Sequence, residues 1–387
     1  MTVVFYLINQ RVKIYEIKNG ILKSDYLNSA SVTEEVFTNS SEAFTKGSEA
    51  FTNKQVTKIQ ENNTQNLKLS SYPFQNMTSQ FGVSSQAKQL KQFCIKSSCN
   101  TAYDGEEVSI DMIEYVLLRG CRFLDFEVYW GQPTTTDSTT KSATSVPVVS
   151  VSNDPTTPGT NAISLSSVLN YLQKNAFNVS MFPNGQDPLF IQLRVKYLVY
   201  LNETNNQNSL YDSIAQIVKD RLASVKYSGK VNENTDITKL ARKAVVIMDT
   251  HANRDYVGVS PNLAKAVNME SNTDNLTHTT YEDIITESQH SFPIDGNGIV
   301  TNMDVMQQVL PMSTVSNIQY LFTENYDVMS VISRYSAQFT PMLFWSNDSY
   351  LQAYEKMFNN SGTGIIALSS AMGYADGQQV VPLIAFP

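Results

Sequence analysis

From about residue 80 onward, short apolar runs alternate with segments whose apolar positions recur at helical spacing. The runs at 93–96, 123–128, 146–151, 189–195, 244–248, 339–344 and 364–368 have strand length and strand composition. The segments 110–118, 165–176, 209–225, 326–335 and 349–358 have the helical period. Ser/Thr/Pro-rich stretches at 133–145 and 154–162 bracket the third run and read as loops. Between 250 and 325 the pattern is irregular, and no sixth strand is assigned there. Alternating β and α over some 300 residues predicts an α/β fold with a parallel sheet, and the length suits a (β/α)8 TIM barrel spanning 80–387.

The first 79 residues have a different texture. Residues 3–25 alternate and break at Asn19-Gly20, a hairpin turn dipeptide. A repeat follows, EEVFTNS, SEAFTKG and SEAFTNK, placing Phe37, Phe44 and Phe51 seven residues apart. A coiled coil needs two apolar seam positions per heptad, and here only one is strong. Two readings stay open: a flexible polar linker, or an adhesive arm that orders against a partner chain. In the second, each Phe would contribute about 1.5–3 kcal/mol when buried. The expected organisation is an extended β-hairpin and Phe-repeat arm at 1–79, used for attachment, followed by the barrel.

Composition narrows the function classes. A net charge of −8 excludes nucleic-acid binding through a general basic surface. Cys94, Cys99 and Cys121 show neither a disulfide framework nor zinc spacing, and three histidines make a His-rich metal site a poor expectation. The apolar run at 3–8 is too short for a signal peptide or a membrane span, so no membrane anchoring is expected. The expected location is cytoplasmic, or the virion if the chain is viral.

In a barrel of this kind the working residues stand at the C-terminal ends of the strands. Those ends carry Ser98-Cys99-Asn100-Thr101, then Asp125 and Glu127, Val151 to Asn153, Arg194, and Asp249-Thr250-His251. Asp125 and Glu127 are two apart, so their side chains share one face of the strand. The stretches SSCNTAYDG (97–105) and GCRFLDFEVYW (120–130) resemble the X domain of the phosphatidylinositol-specific phospholipases C, which are PLC-like phosphodiesterases. PVVSVSND (147–154) and PLFIQLRVK (188–196) resemble that family's next two strands more weakly.

The resemblance implies attack of an inositol hydroxyl on the neighbouring phosphorus, helped by two histidines and, in calcium-dependent members, by an Asn and three carboxylates around the ion. Carried over by residue, the first histidine falls on Cys99, the asparagine on Asn100, and the first two carboxylates on Asp125 and Glu127 in reversed order. The second histidine falls at Val151 and the third carboxylate on Arg194. Valine cannot move a proton, and a thiol is a poor substitute for imidazole near neutral pH. Arg194 would supply a resident cation able to bridge Asp125 and Glu127 as a fork. The expectation is therefore a degenerate site with no catalytic residue, no bound metal and no cofactor, in a structural or interaction protein. A minor capsid protein of a large DNA virus, held to other chains of the assembly by the 1–79 arm, fits this reading.

Two alternatives remain. One is a divergent phosphodiesterase acting on a phospholipid or glycerophosphodiester through His251 and Asp249 with Asp125 and Glu127, calcium entering only in that case. The other is a non-catalytic inositol-phosphate or lipid-binding module. His278 and His290 stand in polar, loop-like text, and Arg122 is expected to form a structural pair inside the barrel.

Overall fold

A computed structural model of the chain describes residues 88–134, 145–152, 157–182, 184–196, 204–250, 256–281, 284, 305–311 and 325–378. The 1–79 arm with Phe37, Phe44 and Phe51 lies outside the described residues, as do Asn153, His251 and His290.

The described chain begins with β1 (Phe93–Ile95) and β2 (Ser97–Ser98), and α1 (Ile110–Leu118) leads into β3 (Phe123–Gly131). Next come β4 (Val146–Ser150), β5 (Ala162–Ser164), α2 (Leu165–Asn175), β6 (Leu189–Val195), α3 (Thr204–Leu222) and β7 (Ala244–Asp249). They are followed by α4 (Tyr256–Val259), α5 (Pro261–Ala266), β8 (Met269–Ser271), β9 (Leu276–Thr280) and β10 (Met306–Leu310). The last elements are α6 (Val328–Tyr335), α7 (Ser349–Ser361), β11 (Ile365–Ala367) and α8 (Leu368–Gln378).

Side-chain alternation explains how the strands curve around a core. β2, β3, β6, β7 and β8 pair in parallel in that order, and β9 pairs in parallel with β10. Parallel bridges Gln308–Phe339, Ile95–Phe339 and Ser98–Met342 return from β10 through residues 339–342 to β1 and β2. The paired path thus runs from β8 round to β9, which follow one another in the chain across a turn closed by the Thr273 N–H donating to the Leu276 carbonyl at 3.1 Å. Ile95, Phe123, Phe190, Val245, Ile247, Met269, Leu276, Met306 and Phe339 form one buried cluster drawn from strands all around this path. Their neighbours Leu124, Phe126, Ile191, Leu193, Val246 and Met248 belong to a second cluster together with apolar residues of the helices. One face of each strand fills the interior and the other seats the helices, as a barrel requires.

Local chemistry sets the helix ends. Ser109, Ser164, Ser260, Asp327 and Asp348 each accept a hydrogen bond from a backbone N–H in the first turn of the helix that follows. Gly120, just past α1, has φ of 84°, the left-handed region that favours glycine, and so lets the chain turn directly into β3.

Three expectations need correction. The run at 146–151 forms a strand, but β4 pairs antiparallel with the far end of β3 (Val128 with Val149, Gly131 with Val146), and the parallel neighbour of β3 is β6. On the edge of β3 opposite β6, β2 pairs only with Phe123 and Leu124, which leaves the later backbone groups of that edge for β4 to satisfy. Val151 therefore does not stand at the C-terminal end of a parallel strand. The run at 364–368 yields β11, which is antiparallel to β1 and lies outside the parallel order. In the irregular stretch 250–325 the structure forms β8, β9 and β10. Arg122 is buried where the α2–β6 connection meets β3: its guanidinium donates to the carbonyls of Pro188 (3.1 Å), Ala176 (3.1 Å) and Asp187 (2.6 Å), and the charge of Asp187 favours it against the cost of burial.

Phe339 has its ring centroid 4.8 Å from that of Phe123 and 5.5 Å from that of Phe190, at the point where 339–342 bridges both β10 and β1. Phe339→Ala should lower stability by about 3–5 kcal/mol, read as a shifted urea midpoint with unchanged slope. A loss below about 1 kcal/mol would mean that this ring does not hold the interior together.

Candidate functional site

Asp125 and Glu127 point into the upper barrel from β3, and both are fully buried. The parallel register sets Gln192 beside Asp125 and Arg194 beside Glu127. Arg194 Nε donates to Asp125 Oδ1 at 2.7 Å and Nη2 to Asp125 Oδ2 at 2.7 Å, a two-pronged grip. Nη1 donates to Glu127 Oε1 at 3.1 Å, and Nη2 also reaches Asn100 Oδ1 at 2.6 Å. The expected fork between the two carboxylates is present.

The remaining atoms of the cluster are tied down as well. The Asn100 backbone N–H donates to Asp125 Oδ2 at 3.0 Å, with Asn100 at φ 44°, a left-handed conformation that Asn tolerates better than most residues. The Asp125 N–H donates to Thr101 Oγ1 at 3.0 Å, and Gln192 Nε2 donates to Asp125 Oδ1 at 3.3 Å. The Tyr129 hydroxyl donates to Glu127 Oε2 at 2.8 Å, and Lys196 Nζ lies 3.4 Å from Glu127 Oε1. Lys196 and Tyr129 were not anticipated, although Tyr129 is two residues from Glu127 on β3, which places it on the same face, and Lys196 directly follows β6, two residues after Arg194.

Two carboxylates, one guanidinium and one ammonium make the cluster neutral. Burial would pull the Arg194 pKa down, but Asp125 and then Glu127 outweigh it and hold the guanidinium above its ordinary value. Burial lowers the Lys196 pKa against the attraction of Glu127. Cys99 is buried, with Sγ 4.0 Å from Arg194 Nη2. Burial, followed by Asp125, pushes its thiol well above the usual range, so the thiol is held protonated. Val151 packs as a partly buried apolar residue against the outer core.

A calcium ion needs six to eight oxygen ligands. Both oxygens of Asp125, Glu127 Oε1 and Asn100 Oδ1 accept from Arg194, and Glu127 Oε2 accepts from Tyr129. A divalent cation there would have to displace the guanidinium and then sit beside it. These residues do not fit the ion.

A second polar pair lies in the barrel. Asp249, at the end of β7, has its Oδ1 3.2 Å from Nδ1 of His278, whose side chain is 1% exposed. His278 therefore sits in a strand, beside Gln308 of β10, and not in a loop. It was misread because LTHTT carries too few apolar residues to announce a strand.

Residues 86–249 match the family model of the phosphatidylinositol-specific phospholipase C X domain, so the resemblance carried by 97–105 and 120–130 holds over that stretch. No curated protein sequence matches the chain. Similar solved structures include L. pealei PLC21, at 14% identity and TM-score 0.48, the match covering 73% of this chain and 38% of that one. A calcium-dependent phosphoinositol-specific phospholipase C from Pseudomonas sp is 11% identical with TM-score 0.45, the match covering 76% of this chain and 100% of that one. A glycerophosphodiester phosphodiesterase from Parabacteroides distasonis is 12% identical with TM-score 0.36, covering 69% and 98% respectively.

Arg194→Met should destabilise the fold by about 3–5 kcal/mol, because it leaves two buried carboxylates facing one ammonium. Adding Asp125→Asn and Glu127→Gln to Arg194→Met should recover much of that loss, as measured by denaturant unfolding; no recovery would show that the cluster does not act as a charge unit. All three cysteines are buried, so the native protein should react with none of its thiols toward a disulfide reagent and with all three once unfolded. Rapid native labelling of Cys99 would contradict this geometry.

Proposed function

We propose that this barrel does not carry out the phosphodiester chemistry of the family it resembles and serves instead as a structural or interaction module. The observation that carries the reading is the grip of Arg194 on Asp125, Glu127 and Asn100. General acid–base catalysis needs a group that exchanges protons near neutral pH within reach of the substrate. At the two positions where the family's pattern has histidine, this chain has a thiol pushed upward in pKa and a valine. The carboxylates that would hold calcium are neutralised from within, which supports the same reading.

A body of this kind keeps its shape without turnover, and its surface is then free to serve assembly. We infer that the 1–79 arm, with Phe37, Phe44 and Phe51, attaches it to other chains. The setting proposed is a minor capsid protein of a large DNA virus. Nothing in this reading requires calcium, a nucleic acid or a membrane.

The full chain, incubated with phosphatidylinositol vesicles or with glycerophosphodiesters, should release no phosphorylated product with or without calcium. Calcium should also leave the melting temperature unchanged, since no bound ion would stabilise the folded state. Turnover abolished by His251→Ala would overturn the proposal in favour of a phosphodiesterase built on His251 and Asp249. Within its native assembly, lysine crosslinking should join Lys13, Lys23, Lys46 or Lys54 to other chains. Crosslinks from those lysines confined to this chain alone would remove the attachment role.

A further inference from the structure

We propose that the cleft between α3 and α5, at the end of the barrel opposite Arg194, binds a small organic phosphate ester. The cleft has a volume of about 550 Å3 and is lined by Lys219 of α3, Lys265 of α5, and Lys226 and Tyr227 of the turn between α3 and β7. Its position is fixed by the strands. Lys226 bridges to Ala244, the first residue of β7, and the Tyr227 N–H donates to the Ala244 carbonyl at 2.8 Å. Asn268, just before β8, donates to the carbonyls of Tyr227 (2.8 Å) and Gly229 (2.7 Å). The floor is therefore anchored at the N-terminal ends of two strands, whereas Arg194 and Glu127 stand near the C-terminal ends of theirs.

Charge singles this place out. In a chain of net charge −8, three ammonium groups line one cleft with a single carboxylate, Asp212, whose Oδ1 accepts from the Ser260 hydroxyl at 2.5 Å. Lysines near helix C-termini commonly offset the helix dipole. Here Lys230, outside the lining, does that for α5 by donating to the carbonyls of Ala264 and Val267, each at 2.9 Å. Lys219 and Lys265 have no hydrogen-bond or ion-pair partner among the described residues, and both are exposed on the wall. Lys226 is half-buried, its ammonium donating to the Tyr227 carbonyl at 3.1 Å, and burial and the nearby Lys230 lower its pKa. The volume lies in the range of small-molecule sites, and Tyr227 with the apolar stretch of α3 offers a surface for the organic part. Lysine ammoniums act as point charges that suit a phosphate. None of this depends on whether the opposite end of the barrel is catalytic.

Calorimetric titration of the full chain with inorganic pyrophosphate and with 4-nitrophenyl phosphate tests the site. Both should bind, more weakly as salt is raised. K219A/K265A, which changes only exposed side chains, should weaken binding by about tenfold. Adding K226A should abolish it, and K239A, an exposed lysine elsewhere, should leave it unchanged. Asp212→Asn, which can still accept from Ser260, should tighten binding. Sedimentation with phosphatidylcholine vesicles containing phosphatidic acid identifies the source. Lysine-dependent co-sedimentation assigns a lipid headgroup, and soluble binding without it assigns a free phosphate ester. No binding at millimolar ligand, or equal weakening by K239A and K219A/K265A, would overturn the proposal.

Discussion

The barrel's upper interior is organised by one constraint: two carboxylates that the parallel register places on one inner face must be neutralised away from water. An isolated buried carboxylate is costly, and two on neighbouring positions of one strand would oppose each other's ionisation. The register between β3 and β6 answers this by bringing Arg194 level with Glu127 and within reach of Asp125. Lys196, just past the end of β6, adds the second positive charge. The Asn100 N–H and Gln192 add second donors to the Asp125 oxygens that the guanidinium grips, Tyr129 supplies the Glu127 oxygen it does not reach, and Thr101 accepts from the Asp125 N–H. What the mouth of the barrel can bind follows from that neutrality.

A second buried ion cluster lies outside the strand ring and ties the two ends of the described chain together. Lys96, between β1 and β2, donates to the Arg119 carbonyl at 2.6 Å and lies 3.4 Å from Glu355 of α7, which also accepts from Arg119 Nε at 2.6 Å. Burial pulls the Lys96 ammonium down to about 7. Clusters of this sort are weak sources of net stability compared with an apolar replacement, yet breaking one member is expensive. They therefore fix which helix packs on which strand. Here they hold α7 against the first strands, while the Tyr354 hydroxyl accepts from the Ser97 N–H at 2.9 Å.

The legibility of these features in the sequence followed their chemistry. Leu189–Val195 and Ile110–Leu118 were readable to the residue, the first as an apolar run bounded by Pro188, the second as a helical repeat opened by Ser109. The Arg194 fork was readable because period two aligned Asp125 with Glu127 and the motifs aligned Arg194 with a missing carboxylate. β4 was legible as a strand but not in its direction, since alternation carries no information about partners. β9 and β10 were illegible because their inward positions include His278 and Gln308, so the polar interior of the barrel erased the apolar signal that announces a strand. For the same reason the Asp249–His278 pair escaped notice. The lysine cleft was invisible because its members lie on two helices and a turn, joined only by the packing of α3 against α5.

Neutralising the two carboxylates with a side chain also sets how the fold depends on its surroundings. A metal that binds only the native state stabilises it by an amount set by its free concentration, so a barrel completed by calcium would loosen where calcium is scarce. Arg194 cannot dissociate, and its charge persists at any pH the protein meets. The contribution of the cluster is then a fixed property of the chain. A catalytic barrel gains from a site that exchanges ions, water and substrate. The network around Arg194 instead occupies its carboxylates and Asn100 with the chain's own side chains, which under the structural role proposed above would suit a body that must hold one shape.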